Sequence, residues 1–344
     1  MRLLSEYQSR TLFHVYFIDF YLKNLHIWGM ILSPEKNNIK QAATFLKEGQ
    51  VVAFPTETVY GLGALGSDDH AIAKIYTLKN RPKINPLIFH CLNFNWVKEI
   101  AEISPLIEKI ANYFMPGPLT LVLKKRKDTK ISMLATAGLD TVAVRVPVHP
   151  IAQMVLSAVG EPLVAPSANL SGRISSTQAQ HVESFFENRI AAVIDGGDCY
   201  YGLESTILDL SIDQPTILRQ GAVTRENLEE VLESQVSISS SLEKIKAPGQ
   251  LKKHYSPQLP LRMNIENPKE DEAYIGFGNR ECHYNLSPSK DLTEAAANLF
   301  KMLHAADDGS KYKGIAVAPI PMESVGVAIN DRLSRACSKE NLDE

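Results

Sequence analysis

Gln50-Val-Val-Ala-Phe-Pro-Thr-Glu-Thr-Val-Tyr-Gly-Leu-Gly63 is the stretch in which the fold and the chemistry of this chain meet. Its first six residues are a short apolar run closed by proline, the pattern of a buried strand. The residues after it are polar where a core would stay apolar: two threonines and a glutamate, then two glycines. Hydroxyls and a carboxylate at a strand end suit a pocket for a small polar ligand, although a capped helix start would use the same residue types. Just upstream, Ile39, Ala42, Ala43 and Leu46 recur at helical spacing before Gly49, which predicts an amphipathic helix over 37–49 with a glycine stop.

Outward from this core the same two patterns alternate. Further strands are predicted over 86–91, 119–123, 141–146, 163–169 and 191–195. Helices are predicted over 71–80, from Ser104-Pro105 onward with Ile107, Ile110, Ala111 and Phe114 as the apolar stripe, and before Gly160, where Ile151, Met154, Val155 and Ala158 mark the buried face. Several strand pairs have no helix between them, so the expected architecture is α/β with a twisted, mixed sheet. Composition changes near Val236. Residues 237–260 show no sustained period and read as a linker, leaving 30–236 as the main domain. In the remaining unit, 261–344, strands are expected over 273–278 and 314–319. Between them lies a helix opened by a capping box at Asp291-Leu-Thr-Glu294, with Leu292, Ala295, Ala296, Leu299 and Leu303 as its stripe, and a last helix covers about 327–337. That order predicts a small Rossmann-like α/β domain of the parallel, right-handed kind.

Composition excludes several function classes. A formal charge of -3 over 344 residues gives no general pull toward nucleic acid, so any RNA contact needs a local basic surface. The cysteines, Cys91, Cys199, Cys282 and Cys337, stand far apart without a C-x-x-C pair, which argues against a structural zinc site and for reduced thiols in a cytoplasmic protein. Gly61-Leu-Gly63-Ala-Leu-Gly66 spells a dinucleotide-binding fingerprint, but no acidic residue follows between His70 and Lys98 to hold a ribose. No P-loop pattern is present either.

Three further clusters carry charge. Lys79, Arg81 and Lys83 fall within five residues, braced by Pro82 and Pro86, a rigid positive loop of the kind a polyphosphate needs. Arg145 lies on a predicted strand among valines, so its charged end requires an anionic partner: a ligand carboxylate, Asp140 or Glu57. Ala165-Pro-Ser-Ala-Asn169 with Arg173 and Ser175, and later Gly202-Leu-Glu-Ser-Thr206 with Arg219, place small polar residues after strands, where backbone can wrap a nucleotide closely. No Ser-His-Asp order or metal-ligand spacing accompanies them, so they describe a binding enzyme rather than a hydrolase.

At these residues the sequence resembles the Sua5/YrdC family of threonylcarbamoyl-AMP synthases. The matching runs are Phe54-Pro-Thr-Glu-Thr-Val-Tyr-Gly-Leu-Gly63, Lys79-Asn-Arg-Pro82 with Asn85-Pro-Leu87, Pro116-Gly-Pro-Leu-Thr120, Gly138-Leu-Asp-Thr-Val-Ala-Val-Arg145, Ala165-Pro-Ser-Ala-Asn169 and Glu204-Ser-Thr206. The run Ala247-Pro-Gly249 with His254-Tyr-Ser-Pro257, and the small last domain, resemble the long Sua5 branch.

The resemblance implies a YrdC-like catalytic domain and synthesis of threonylcarbamoyl-AMP and pyrophosphate from L-threonine, bicarbonate and ATP. That adenylate would serve t6A modification at position 37 of ANN-decoding tRNAs, by way of a downstream threonylcarbamoyl-transferase and tRNA. It further implies that Thr56, His90, Arg145, Ala165 and Ser205 contact threonine. Arg81, Asn85, Thr141, Ser167, Ser175, Arg219 and Tyr255 would contact ATP, with Lys79 near the phosphates, Lys79 and Arg81 as catalytic residues, and Mg²⁺ arriving with ATP. By the same match, His254-Tyr-Ser-Pro257 would fold over the pocket as a lid. Gln250, Ser256 and Ile174 depart from the family pattern, at positions that bear on lid fit rather than on charge. Two other readings are an RNA-binding module without catalysis and a carbamoyl-transfer enzyme with a different acceptor.

Residues 1–29 have no counterpart in the resemblance. Their aromatic stretch is broken by His14 and Asp19, too short to span a bilayer and unlike a secretory signal. They read as a non-native or unstructured extension, with Met30 as the natural start. The intact mass of natively expressed protein should therefore correspond to a start at Met30; a mass that includes the first 29 residues would refute this.

Overall fold

The computed structural model describes residues 30–239 and 254–337. The expected extension over 1–29 and the linker run around Pro248 lie outside the described residues.

Among the described residues the first domain holds eleven strands: β1 (Met30–Leu32), β2 (Val52–Phe54), β3 (Gly61–Leu65), β4 (Ile88–His90), β5 (Leu119–Lys124), β6 (Thr141–Arg145), β7 (Leu163–Val164), β8 (Ala192–Ile194), β9 (Thr206–Asp209), β10 (Thr216–Arg219) and β11 (Ser237–Ile238). They form one sheet in the order β1-β8-β2-β3-β7-β4-β6-β5-β9-β10-β11. Pairs such as β4–β6 and β5–β9 are parallel, whereas β2–β3 and β5–β6 are antiparallel, so the sheet is mixed as expected. Helices cover both faces: α1 (Lys36–Lys47), α2 (Asp69–Lys79), α3 (Phe94–Ile100), α4 (Pro105–Phe114), α5 (Pro150–Val159), α6 (Ala179–Phe186) and α7 (Arg225–Leu232). Alternation along β2 shows why both faces need cover. Ala53 joins the core beneath α2 and α4, while Val52 and Phe54 join the one beneath α1 and α5.

The helix signals hold in detail. Ser104 caps α4 with Pro105 in the first turn, and Gly160 closes α5 in the left-handed conformation. Among the described residues of this domain, three helices, α3, α6 and α7, and five strands, β1, β3, β9, β10 and β11, carried no clear signal. Strand β3 is instructive, because its glycines are packing devices. A Cβ at Gly63 would strike the Phe54 ring across the β2–β3 pair, and one at Gly61 would crowd Ala165. The fingerprint-like spelling thus lies within a strand, not at the start of a helix.

The second domain is a four-stranded, all-parallel sheet, β12 (Leu261–Arg262), β13 (Glu272–Gly276), β14 (Tyr284–Asn285) and β15 (Gly314–Val317), in the order β12-β15-β13-β14. It packs against α8 (Leu292–Ala306) and α9 (Gly326–Cys337). Asp291 caps α8, but Glu294 bonds Ser287 and Ser289 instead of closing a capping box. One boundary shifts as well. Ser237 and Ile238, expected in the linker, pair with Thr216 and Ile217 and extend the large sheet.

The core of the second domain includes Val59, Ile174, Leu203 and Tyr255, so an apolar seam joins the two domains. Gly202 sits on that seam at φ +64°, and a Cβ there would run into the backbone of Ala296 and Ala297 in α8. Gly202→Ala should therefore cost about 1–3 kcal/mol from backbone conformation alone, with the clash added. An unfolding midpoint equal to that of the wild type would show the seam to be looser than this.

Candidate functional site

Sheet register builds the floor of the site. His90 on β4 stands beside Arg145 on β6, and Arg145 stands beside Thr120 on β5. Neighbours in register share a face, so three polar side chains emerge in a row at the strand ends. Thr120 extends the row through a 2.7 Å hydrogen bond between its hydroxyl and that of Ser205, just ahead of β9.

The turn between β2 and β3 forms one wall. Thr56 ties it together: its hydroxyl accepts from the backbone N–H of Thr58 and Val59 and donates to the Val59 carbonyl at 2.6 Å. This turn carries Glu57, whose Oε1 lies 2.7 Å from Arg145 Nη2, with both side chains buried. Of the partners open to Arg145 in the sequence, the fold supplies Glu57. Arg145 Nε leans on the Gly117 carbonyl, and Glu57 Oε2 is buried without a hydrogen-bond partner. Burial, with Arg145 alongside, pushes the His90 imidazole down to about 3, so it is neutral at pH 7.

Cations make up the other walls. The Arg219 guanidinium donates to the Ser205 carbonyl at 2.9 Å and to its hydroxyl at 3.2 Å. Arg81 donates to the Asn85 and Pro86 carbonyls, and burial lowers its pKa to about 10. Lys79, at the end of α2, is 1 % exposed; its ammonium donates to the carbonyls of Ser167 and Asn169, and burial with Arg81 nearby pushes its pKa well down. The expected positive loop is thus folded inward at two of its three cations, while Lys83 faces solvent.

These walls enclose about 520 Å³ of empty space, counting its mouth. Of the residues expected to contact threonine, Thr56, His90, Arg145, Ala165 and Ser205 all line it. Of those expected for ATP, Arg81, Ser167 and Arg219 line it. The others stand back. Lys79 holds the Ser167 loop from behind, Ser175 donates to Glu204, and the buried Asn85 keeps an unpartnered Oδ1. Tyr255 stacks on Phe300 of α8 at 5.5 Å, with its hydroxyl unpartnered. Thr141 begins the strand that ends at Arg145, about 13 Å away at the usual strand rise.

Two buried charges at the site carry no role in the sequence reading: Glu204, quoted there only within the run Glu204-Ser-Thr206, lines the cavity, and Arg332 bonds Glu204 from α9. Arg332 sits three residues after Ile329 and four before Ala336, in the buried stripe of its helix. A charge at an apolar position was the available signal. His254, from the linker motif, also lines the cavity.

The chain matches the Sua5–YciO–YrdC family model, described as "Telomere recombination", over residues 44–221. It is a member of the Sua5/YrdC family. Residues 223–338 match a second model, "Threonylcarbamoyl-AMP synthase, C-terminal domain". Among the similar proteins of the Sua5/YrdC family, the threonylcarbamoyl-AMP synthase of Bacillus subtilis is 37% identical over 89% of this chain and 94% of its own. That of Pyrococcus abyssi is 37% identical over 88% and 94%. The crystal structure of P. abyssi Sua5 complexed with L-threonine superposes with a TM-score of 0.82 at 36% identity, covering 90% of this chain and 97% of that one.

Two measurements test the electrostatics of this family member. Burial raises the Glu204 pKa, but Arg332, Arg219 and the Ser175 hydroxyl outweigh it and hold the carboxyl at about 2, below its ordinary 4.5. Its stabilising contribution is full above pH 4.5 and is lost as pH falls toward 2. Glu204→Gln should flatten that part of the stability–pH curve; a curve parallel to the wild type would contradict the assignment. Arg145→Met strands Glu57 and should cost about 3–5 kcal/mol of stability, whereas the double change Arg145→Met with Glu57→Gln should recover much of it. Additive losses in that cycle would mean the pair is not coupled.

Proposed function

We propose that the protein is an L-threonylcarbamoyladenylate synthase, a nucleotidyltransferase acting on L-threonine, bicarbonate and ATP. The observation that carries this reading is the charge of the cavity. Among the described residues, Arg81, Arg145 and Arg219 line it with Lys79 behind, all buried, against the carboxylates of Glu57 and Glu204. A buried excess of positive charge favours a ligand rich in anionic oxygens, and a triphosphate with an amino-acid carboxylate is such a ligand.

The reaction needs two bonds made in sequence. The threonine amine adds to bicarbonate and water leaves, giving a carbamate. A carbamate oxygen then attacks the α-phosphorus of ATP, and the α–β phosphoanhydride bond breaks as pyrophosphate departs. Arg145 would take the threonine carboxylate while Glu57 keeps hold of Nη2. Thr56, Ser205 and neutral His90 would fix the rest of the amino acid, close to Ala165. Arg81, Arg219 and Lys79 would neutralise phosphate charge as it develops on the leaving pyrophosphate, and Asn85, Thr141, Ser167, Ser175 and Tyr255 would seat the nucleotide. The chemistry is positioning and charge neutralisation.

Among the described residues no group of three or more His, Cys, Asp or Glu side chains gathers to hold a metal ion. In this reading Mg²⁺ enters with ATP on phosphate oxygens and water. His254 and Tyr255 would serve as a cover that keeps water from a labile mixed anhydride. The product would pass to a threonylcarbamoyl-transferase that modifies tRNA, a cytoplasmic step. Among the described residues no helix is long and apolar enough to cross a membrane.

Purified protein with Mg-ATP, bicarbonate and L-threonine should release pyrophosphate only when all three are present. Release without threonine would point to another carbamoyl acceptor, and no release from folded protein would overturn the reading. Arg81→Ala should raise the KM for ATP, and Arg145→Ala that for threonine, each by roughly 10–100-fold, the worth of one charge-assisted contact. Wild-type constants in both variants would show that the cavity is not the catalytic site.

A further inference from the structure

The C-terminal domain touches the cavity wall through Arg332, which bonds the lining residue Glu204. Arg332 on α9 is 1 % exposed, among the largest fully buried side chains of the protein. Its Nε lies 3.0 Å from Glu204 Oε2, and its Nη2 donates to the Gln220 carbonyl at 2.7 Å. Its Nη1 is held by Asp331 at 2.7 Å, and its guanidinium carbon sits 5.1 Å from the centre of the Tyr255 ring. Glu204 in turn accepts from Ser175.

One guanidinium therefore touches three separate segments of the site. It orients the 202–206 loop through Glu204, the turn after β10 through Gln220, and the linker through Tyr255. Packing among these segments is already tight, since a Cβ at Gly221 would strike the backbone of Glu204, Ser205 and Thr206. A shift of any one segment is passed to the others. Ser175, Arg219 and Tyr255, all assigned to the nucleotide above, either contact this knot or neighbour it in the chain.

We propose that Arg332 is a positioning residue for the nucleotide end of the site, so that the C-terminal domain completes ATP binding without itself contacting the reacting atoms. The proposal rests on the functional reading given above. Its geometry has a chemical basis: a guanidinium offers separate N–H groups in a fixed plane, so one residue can hold a carboxylate and a carbonyl at defined angles. Threonine binding is expected to depend on it less than nucleotide binding does. Arg145, Glu57, Thr56 and His90 do not contact Arg332, and Ser205 is the one residue assigned to threonine that lies on the loop Arg332 orients.

The test uses the full-length protein as wild type, Arg332→Met, Arg332→Lys, and the double variant Glu204→Gln with Arg332→Met. Calorimetry gives the Kd of L-threonine and of an ATP analogue with a methylene between the α- and β-phosphorus. Arg332→Met should weaken nucleotide binding tenfold or more while the threonine Kd rises by several-fold less. Arg332→Lys, which keeps the charge but loses the two-way grip, should fall between. Should Arg332→Met not fold, the Lys and double variants carry the same comparison, the latter leaving no buried carboxylate unpaired. Nucleotide Kd values within twofold of wild type in folded variants, even with a lowered unfolding midpoint, would reduce Arg332 to a domain tie and overturn the proposal. Wild-type protein that binds no nucleotide would overturn the functional reading and this one together.

Discussion

Burial of positive charge is the constraint on which the rest of this molecule depends. Lys79, Arg81, Arg145, Arg219 and Arg332 are all nearly inaccessible to water, and among the described residues the carboxylates of Glu57, Glu204 and Asp331 stand beside them. Isolated burial of a guanidinium or ammonium costs several kcal/mol, so each cation must be satisfied by geometry. Arg145 and Arg332 take carboxylates, while Lys79 and Arg81 take backbone carbonyls turned inward by loops. Carbonyl dipoles solvate a charge without cancelling it, so the cavity stays electropositive. A site built this way is matched to anionic oxygens before any ligand arrives.

Sheet geometry fixes where those charges can stand. A mixed sheet lets parallel and antiparallel neighbours bring strand ends of opposite direction to one edge, and His90, Arg145 and Thr120 meet there by register. Gly61 and Gly63 allow β3 to lie close against Phe54 and Ala165, which holds the Thr56–Glu57 turn over that row. The residues that resemble a nucleotide fingerprint therefore act on packing, and through packing on the position of Glu57.

The second domain is part of the same constraint. Its apolar core takes in Val59, Leu203 and Tyr255, each next in sequence to a polar residue of the cavity wall: Thr58, Glu204 and His254 respectively. These segments put Leu203 and Tyr255 into the seam and their polar neighbours on the cavity, while Val59 borders both. Arg332 then crosses the seam to neutralise Glu204, which belongs to a domain far from it in sequence. The small domain thereby contributes to the charge balance of a site whose floor it does not form.

By itself the sequence determined the α/β class, the two-domain division, most capped helices and the strands with strong apolar runs. Those are local properties, set by periodicity and by capping chemistry such as Ser104-Pro105. It also made Arg145 legible as needing an anionic partner, since a charge amid valines is a local anomaly, and Lys79, Arg81 and Lys83 legible as a rigid positive loop. Only the tertiary structure decided that Glu57 is the partner of Arg145 and that Lys79 and Arg81 turn inward. The glycine-rich β3, the short β9 and β10, and the role of Arg332 likewise escaped the sequence. Their reasons lie in contacts between residues tens to more than a hundred positions apart, such as Glu204 with Arg332, and no local pattern encodes which distant charge will be buried beside which.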